Sequence, residues 1–177
     1  MKYTSATSER SAALTCAQAM VAAARTAPKA CGIDLVETLI IDGVDKDRLT
    51  ATMRAIGNRD DKAFYIRDAG NIDDCHCVVL IGSGVKARGL DCHYCGVPTC
   101  DAAEAHGIAC ALSVDDLGIA VGSAASVAMD HRIDNRVLFS AGKAALALKL
   151  FPEEVKMCLG IGLATKGKNI FFDRQAV

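Results

Sequence analysis

The sequence predicts a mixed α+β fold, a sheet packed with helices, in a single domain over residues 1–177. Three observations predict it. A chain of 177 residues that is 51% hydrophobic can bury one core. Stretches of helical period alternate with short apolar runs bounded by Gly and Pro. A loop dense in cysteine, residues 89–110, interrupts this alternation as an insertion.

Ser8 through Thr26 reads as an Ala-rich helix with Leu14, Met20 and Val21 as its larger apolar residues, and Pro28 lies just beyond. Residues 35–41 read as a strand ended by Asp42-Gly43. Asp45 can cap a helix from Lys46 to Ile56 that Gly57 stops. Residues 63–68 suit either type. Residues 75–81 form a buried strand that ends at Gly82-Ser83-Gly84. After the cysteine loop, Thr99 caps a short helix ended by Gly107. Ser113 and Asp116 approximate a capping box that opens a helix to about His131. A further helix over 134–149, with Asp134 as its N-cap, stops near Pro152, and residues 155–164 and 169–172 close the sheet as strands.

Charge and composition remove several function classes. The formal net charge is −1 and Lys and Arg are scattered, so nucleic acid is not the expected partner. Trp is absent and aromatics are 5%, too few for a base-stacking platform. The first ten residues are polar, no signal peptide is expected, and no run reaches the roughly 18 apolar residues of a membrane span. The chain is therefore expected to be soluble, cytoplasmic and free of membrane. Nine cysteines in a reducing compartment point to metal or redox chemistry rather than to disulfides.

Chemistry concentrates in Gly89-Leu90-Asp91-Cys92-His93-Tyr94-Cys95-Gly96-Val97-Pro98-Thr99-Cys100, spaced C-x2-C-x4-C, with Cys110 ten residues on. Thiolates are soft ligands suited to iron–sulfur clusters and zinc. A cubane cluster takes four of them. Gly96 and Pro98 let the loop curl, and Cys100 opens a helix whose first amides favour a thiolate's charge. Cys92, Cys95, Cys100 and Cys110 are the candidate ligands of a [4Fe-4S] cluster. Zinc fits less well, because there is a single C-x2-C knuckle. Cys75 and Cys77, two apart in a strand, point to one face and are alternative fourth ligands or buried core residues. Cys16, Cys31 and Cys158 read as core or half-buried.

The segment Cys92–Cys100 resembles the cluster motif of ferredoxin-like four-iron domains, C-x-x-C-G-x-x-T-C. The whole chain resembles the "ferredoxin domain-containing" family DUF2148. The matching stretches are 24–30, 64–69, 89–92, 116–124 and 134–136. That resemblance implies a cluster and assigns no reaction. A second resemblance is to the flavin-dependent nitroreductases, carried by the first helix, the Ala27-Pro28-Lys29-Ala30 turn, the small-residue helix and the closing Leu159-Gly160-Ile161-Gly162-Leu163-Ala164 strand. It implies a nitroreductase-like sheet and FMN at a dimer interface. The basic and polar positions it marks for FMN are Arg10, Arg25, Thr26, Lys29 and Lys166.

The rival reading is a zinc-binding or redox-sensing structural module without catalysis. Gly118, Ala120, Gly122, Ala124 and Ala125 make one helix small enough for close packing, so a homodimer is expected. Lys86 and Arg88 precede the cluster loop and read either as charges that offset the cluster or receive an acidic redox partner, or as an ordinary solvated face. His93 reads as an exposed loop residue, Asp130-His131 with Asp134 and Arg136 as a charged hinge between two helices, and Arg67-Asp68 as a structural pair.

Overall fold

The computed structural model describes residues 1–172. The chain order is α1 (Ser5–Thr26), a 3-10 turn (Ala30–Gly32), β1 (Val36–Ile41), α2 (Gly43–Arg59), α3 (Ala63–Asp73), β2 (Cys77–Ser83), α4 (Cys100–Ala105), α5 (Ala111–Asp130), β3 (Asp134–Leu138), α6 (Phe139–Ala147) and β4 (Met157–Ala164). The four strands form one antiparallel sheet in the order β1-β2-β4-β3. The mixed α+β expectation is met.

Period-two alternation splits the core into two layers. Cys77, Val79 and Ile81 of β2, with Ile161 and Leu163 of β4, face α1 and α5. Val78 and Leu80, with Cys158, face α2, α3 and α6. β2 is buried along its whole length, which is why it reads as an unbroken apolar run. On the second layer α6 lies so close to β4 that a Cβ on Gly142 would sit 1.8 Å from the Cys158 carbonyl oxygen.

α1 and α5 owe their close packing to small residues: Ala17 and Ala24 share one core cluster with Ala120, Ala124 and Ala128. α5 is long and apolar enough, by length and composition, to cross a membrane, contrary to the sequence estimate. Here it is a core helix on one side only. Leu117, Ala120, Val121, Ala124 and Ala128 are buried, while Val114, Ile119 and Met129 stay exposed.

Four expectations need correction. Residues 134–149 are not one helix: Asp134–Leu138 pairs with β4 as an edge strand, and Asp134 starts that strand instead of capping a helix. The Asp130–Arg136 hinge therefore joins a helix to a strand; Arg136 lies over the Phe172 ring at 4.9 Å and Asp134 accepts from Asn169. Ser113 and Asp116 do not cap α5, which starts at Ala111. They lie inside it and bond tertiary partners. α2 begins after Asp42, three residues ahead of the expected start, so Asp45 is within its first turn, and it runs through Gly57 to Arg59 instead of stopping there. Residues 169–172 form a turn rather than a strand. Residues 63–68 resolve as the start of α3, where Asp68 is buried, paired with Arg67 and bonded by the Ser140 hydroxyl at 2.6 Å.

Candidate metal centre

The cysteine loop leaves the central strand β2 and returns to the N-terminus of α5. Its path is curled by residues in the left-handed region: Gly89, Asp91, His93 and Gly96 all have positive φ. The Gly96 amide donates to the His93 carbonyl at 2.9 Å, closing a turn between Cys92 and Cys95. His93 is exposed, and its Nδ1 lies 3.4 Å from the Val97 carbonyl. Asp91 reaches back across the loop and accepts the Cys100 amide at 2.6 Å. Cys100 is the first residue of α4, capped as expected by Thr99, whose hydroxyl accepts the Ala102 amide.

Cys110 is fixed from two sides. Its amide donates to the Val85 carbonyl at 3.1 Å, and its own carbonyl accepts the Ser113 and Val114 amides as α5 begins. The Ser113 hydroxyl then bonds the Lys86 carbonyl at 2.9 Å. These contacts bind the strand-exit segment 84–88 to the first turn of α5.

One pocket collects Cys92, Cys95, Cys100 and Cys110 on its walls. Ala87, Val97, Ala103 and Ala111 complete much of the lining. Cys92, Cys95 and Cys100 are half-buried and Cys110 is buried. Among the described residues no three His, Cys, Asp or Glu side chains converge closely enough to hold a single metal ion. A lone zinc needs its sulfurs each about 2.3 Å from one point. A polynuclear cluster binds each thiolate through a different iron and tolerates wider spacing. The four thiols that line the pocket are soft donors of the kind that hold iron–sulfur clusters or zinc.

Cys75 and Cys77 do not share a face. Cys75 lies in the turn after α3, before the strand begins; its thiol donates to the Asn71 carbonyl and packs against Gly162, Ala164 and Phe171. Cys77 enters the α1/α5 layer. Burial pushes both thiols, and that of Cys158, up to about 12. Cys16 is raised by burial as well. These four are core residues outside the pocket; Cys31 is exposed, with positive φ in the 3-10 turn.

The loop is braced by a contact the sequence did not reveal. Arg88 and Asp116 form an ion pair at 2.6 Å with side chains only 1% and 3% exposed. Asp116 also accepts the Ala30 amide at 2.8 Å, so the pair joins the cysteine loop, α5 and the turn after α1. Among the described residues the Nε and Nη1 donors of Arg88 have no hydrogen-bond partner.

The FMN positions divide into two groups. Arg10 pairs with Asp42, and Lys166 with Asp74 at 3.3 Å; both act on His76, whose pKa is lowered chiefly by burial. Arg25 pairs with Asp34 at 2.6 Å, the Thr26 hydroxyl bonds the Ala22 carbonyl, and Lys29 donates to the carbonyls of Ala24, Arg25 and Ala27 at the end of α1. Arg10 and Arg25 are fifteen residues apart on one helix, about 22 Å along its axis. The five side chains do not gather around one phosphate within a single chain.

Known proteins resemble this chain in sequence and in fold. A protein of Archaeoglobus fulgidus, described as uncharacterized, is 35% identical over 164 residues, covering 88% of each chain. Residues 106–174 match the model for uncharacterized proteins containing a ferredoxin domain, DUF2148. The chain belongs to the DUF2148 family. The matched segment of this DUF2148 chain includes Cys110 and lies beyond Cys92, Cys95 and Cys100. Its fold is nitroreductase-like. A nitroreductase with bound FMN from Desulfitobacterium hafniense superposes with TM-score 0.61 at 15% identity, over 87% of this chain and 78% of that one. An FMN complex from Desulfovibrio desulfuricans gives 0.59 at 14%, over 92% and 80%. At such identities the likeness speaks for fold alone.

Proposed function

We propose that this chain is a redox protein that holds a [4Fe-4S] cluster on Cys92, Cys95, Cys100 and Cys110, and works in electron transfer or as the electron entry of a small oxidoreductase. The observation that carries this reading is the single pocket whose walls include all four thiols. Membership of a family defined by a ferredoxin domain supports the redox class. Bound there, the cluster would supply one-electron storage and release. The chain's own residues set its surroundings. Asp91 and Thr99 fix the Cys100 end of the loop, Val85 fixes the Cys110 end, and the Arg88–Asp116 pair anchors the loop to α5. Serine in place of Cys95 or Cys110 is expected to remove the visible absorption of the anaerobically purified protein, whereas Cys75→Ser keeps it. Full colour in Cys95→Ser and Cys110→Ser would overturn the ligand set.

A homodimer is part of this reading. The outward face of α5 leaves Gly118, Ile119, Gly122 and Met129 exposed, a stripe of small and apolar residues on a long helix. FMN is the second cofactor the reading admits, on the strength of the fold. The two groups of candidate side chains lie at opposite ends of α1, so a flavin held by both would draw on two copies of the chain. Flavin that elutes with a dimer in sizing with light scattering supports this part; a monomer carrying stoichiometric FMN would sink it.

A further inference from the structure

Three hollows adjoin one another on the side of the molecule behind the cysteine loop. The first lies between the starts of α5 and α6 and is walled by Val114, Leu117, Phe139, Leu146, Met157 and Leu159. The second runs along residues 107–109, directly before Cys110, and is bounded by Val85 and Met157. The third lies at Phe151 and Pro152. Lys156 borders all three. Phe139 is 54% exposed and Val114 45%, so two large apolar side chains open onto the same hollow.

The rim of this face is basic. Lys86, Lys143, Lys149 and Lys156 line the hollows, and all four are exposed. Among the described residues none of the four enters an ion pair, which is true also of Lys2, Lys62 and Arg132 elsewhere, whereas seven Arg and Lys166 are paired. Two carboxylates, Glu104 and Glu153, share the lining and leave the face positive. A chain of net charge −1 thus keeps a patch of uncommitted positive charge around an apolar floor.

That patch touches the cluster loop. Val114 follows Cys110 by one helical turn, about 6 Å along the axis of α5. Ala109, in the wall of the second hollow, is bonded covalently to Cys110, and Val85 in the same wall accepts the Cys110 amide.

We infer that this face docks an acidic one-electron carrier protein, which passes its electron into the chain beside Cys110. The inference rests on the cluster reading above. In the step, the carrier's reduced centre loses one electron and the cluster gains one; no bond forms or breaks. The four lysines steer the carrier, and the apolar floor around Phe139 and Val114 supplies the contact core, the division of labour usual at transient electron-transfer interfaces.

The test uses flavodoxin as the probe, an acidic carrier whose semiquinone absorbs apart from an iron–sulfur band. Wild-type protein is compared with the Lys86→Glu, Lys143→Glu, Lys149→Glu, Lys156→Glu variant and with the matching four Lys→Arg substitutions, which keep the charge. Iron content and reduction by dithionite are recorded for each. The expected result has three parts: the rate of electron transfer from reduced flavodoxin falls on the order of tenfold or more between low and physiological salt, the Glu variant loses a similar factor while still reducing with dithionite, and the Arg variant keeps the wild-type rate. Rates indifferent to both salt and charge reversal would overturn the docking face. So would wild-type self-association at low salt that the Glu variant abolishes, which gives the face to a second copy of the chain. Protein without iron overturns the cluster reading instead; sedimentation of oxidised flavodoxin with each variant then reads the docking face by itself, and binding lost only in the Glu variant supports it.

Discussion

The Asp91 carboxylate accepts the Cys100 backbone amide at 2.6 Å, spanning nine residues and closing the cysteine loop on itself. Asp91 has a φ of 44°, a conformation that Asn shares and Ala resists. The bond therefore fixes the separation of Cys92 and Cys100 before any metal arrives.

Asp91→Ala is expected to shorten the lifetime of bound iron against a chelator by about tenfold, from the loss of one charge-assisted hydrogen bond worth about 1.5 kcal/mol at an exposed site. Asp91→Asn keeps an acceptor and the backbone preference and should recover most of that loss. The readout is the decay of the cluster absorption. Equal lifetimes in all three proteins would remove Asp91 from the site.

Arg88 and Asp116 carry opposite charges in an almost sealed environment. Removing one partner strands the other, at a cost of about 3–5 kcal/mol. Urea unfolding of Arg88→Met and of Asp116→Asn should show that loss. The Asp116 variant also frees the Ala30 amide, so hydrogen exchange should quicken at residues 29–32 in that protein. A midpoint unchanged in both variants would contradict the bracing role.

Thiol reactivity separates the pocket from the core. Burial holds the Cys75, Cys77 and Cys158 thiols at about 12 in the folded state, so at pH 8 only about one in ten thousand is thiolate, the reactive form. Brief alkylation of the native apoprotein at pH 8 should modify Cys31, Cys92, Cys95 and Cys100, and spare Cys75, Cys77 and Cys158; labelling of those three should appear only as pH rises toward 12 or the chain unfolds. Loading with iron and sulfide should then protect Cys92, Cys95 and Cys100 and leave Cys31 reactive. Protection of Cys75 or Cys77 brought on by iron alone would move the fourth ligand there.

Gly142 tests the fold independently of the metal. An added methyl would meet the Cys158 carbonyl oxygen of β4 at 1.8 Å, and neither backbone can retreat without opening the α6 layer. Gly142→Ala should cost about 3 kcal/mol, the upper end for overpacking, measured by urea midpoint. A wild-type midpoint would mean that α6 does not lie against β4 as described.

What the sequence made legible was local. β1, the α4 cap at Thr99 and the turn at Gly96 follow from residues within a few positions of one another. What it hid was settled by distant partners. Asp134–Leu138 becomes a strand because β4 offers a free edge, Asp134 standing opposite Ala164 in the register. Asp116 has the spacing of a capping residue, but its partners are Arg88 and Ala30, 28 and 86 positions away. The parity of Cys75 and Cys77 misled for a similar reason: two-residue periodicity holds within a strand, and the strand starts only at Cys77. Cys92, Cys95 and Cys100 stand out by their spacing, whereas the sequence leaves the fourth position open between Cys110, Cys75 and Cys77; of those three only Cys110 shares a pocket lining with the loop thiols.

Quantifying iron and acid-labile sulfide together in protein purified without air tests the central claim most directly. The account expects about four of each per chain, as four-thiolate ligation of a cubane requires, with a broad visible absorption that bleaches on reduction. Colourless protein with stoichiometric zinc, or with no metal after reconstitution with iron and sulfide, would contradict it.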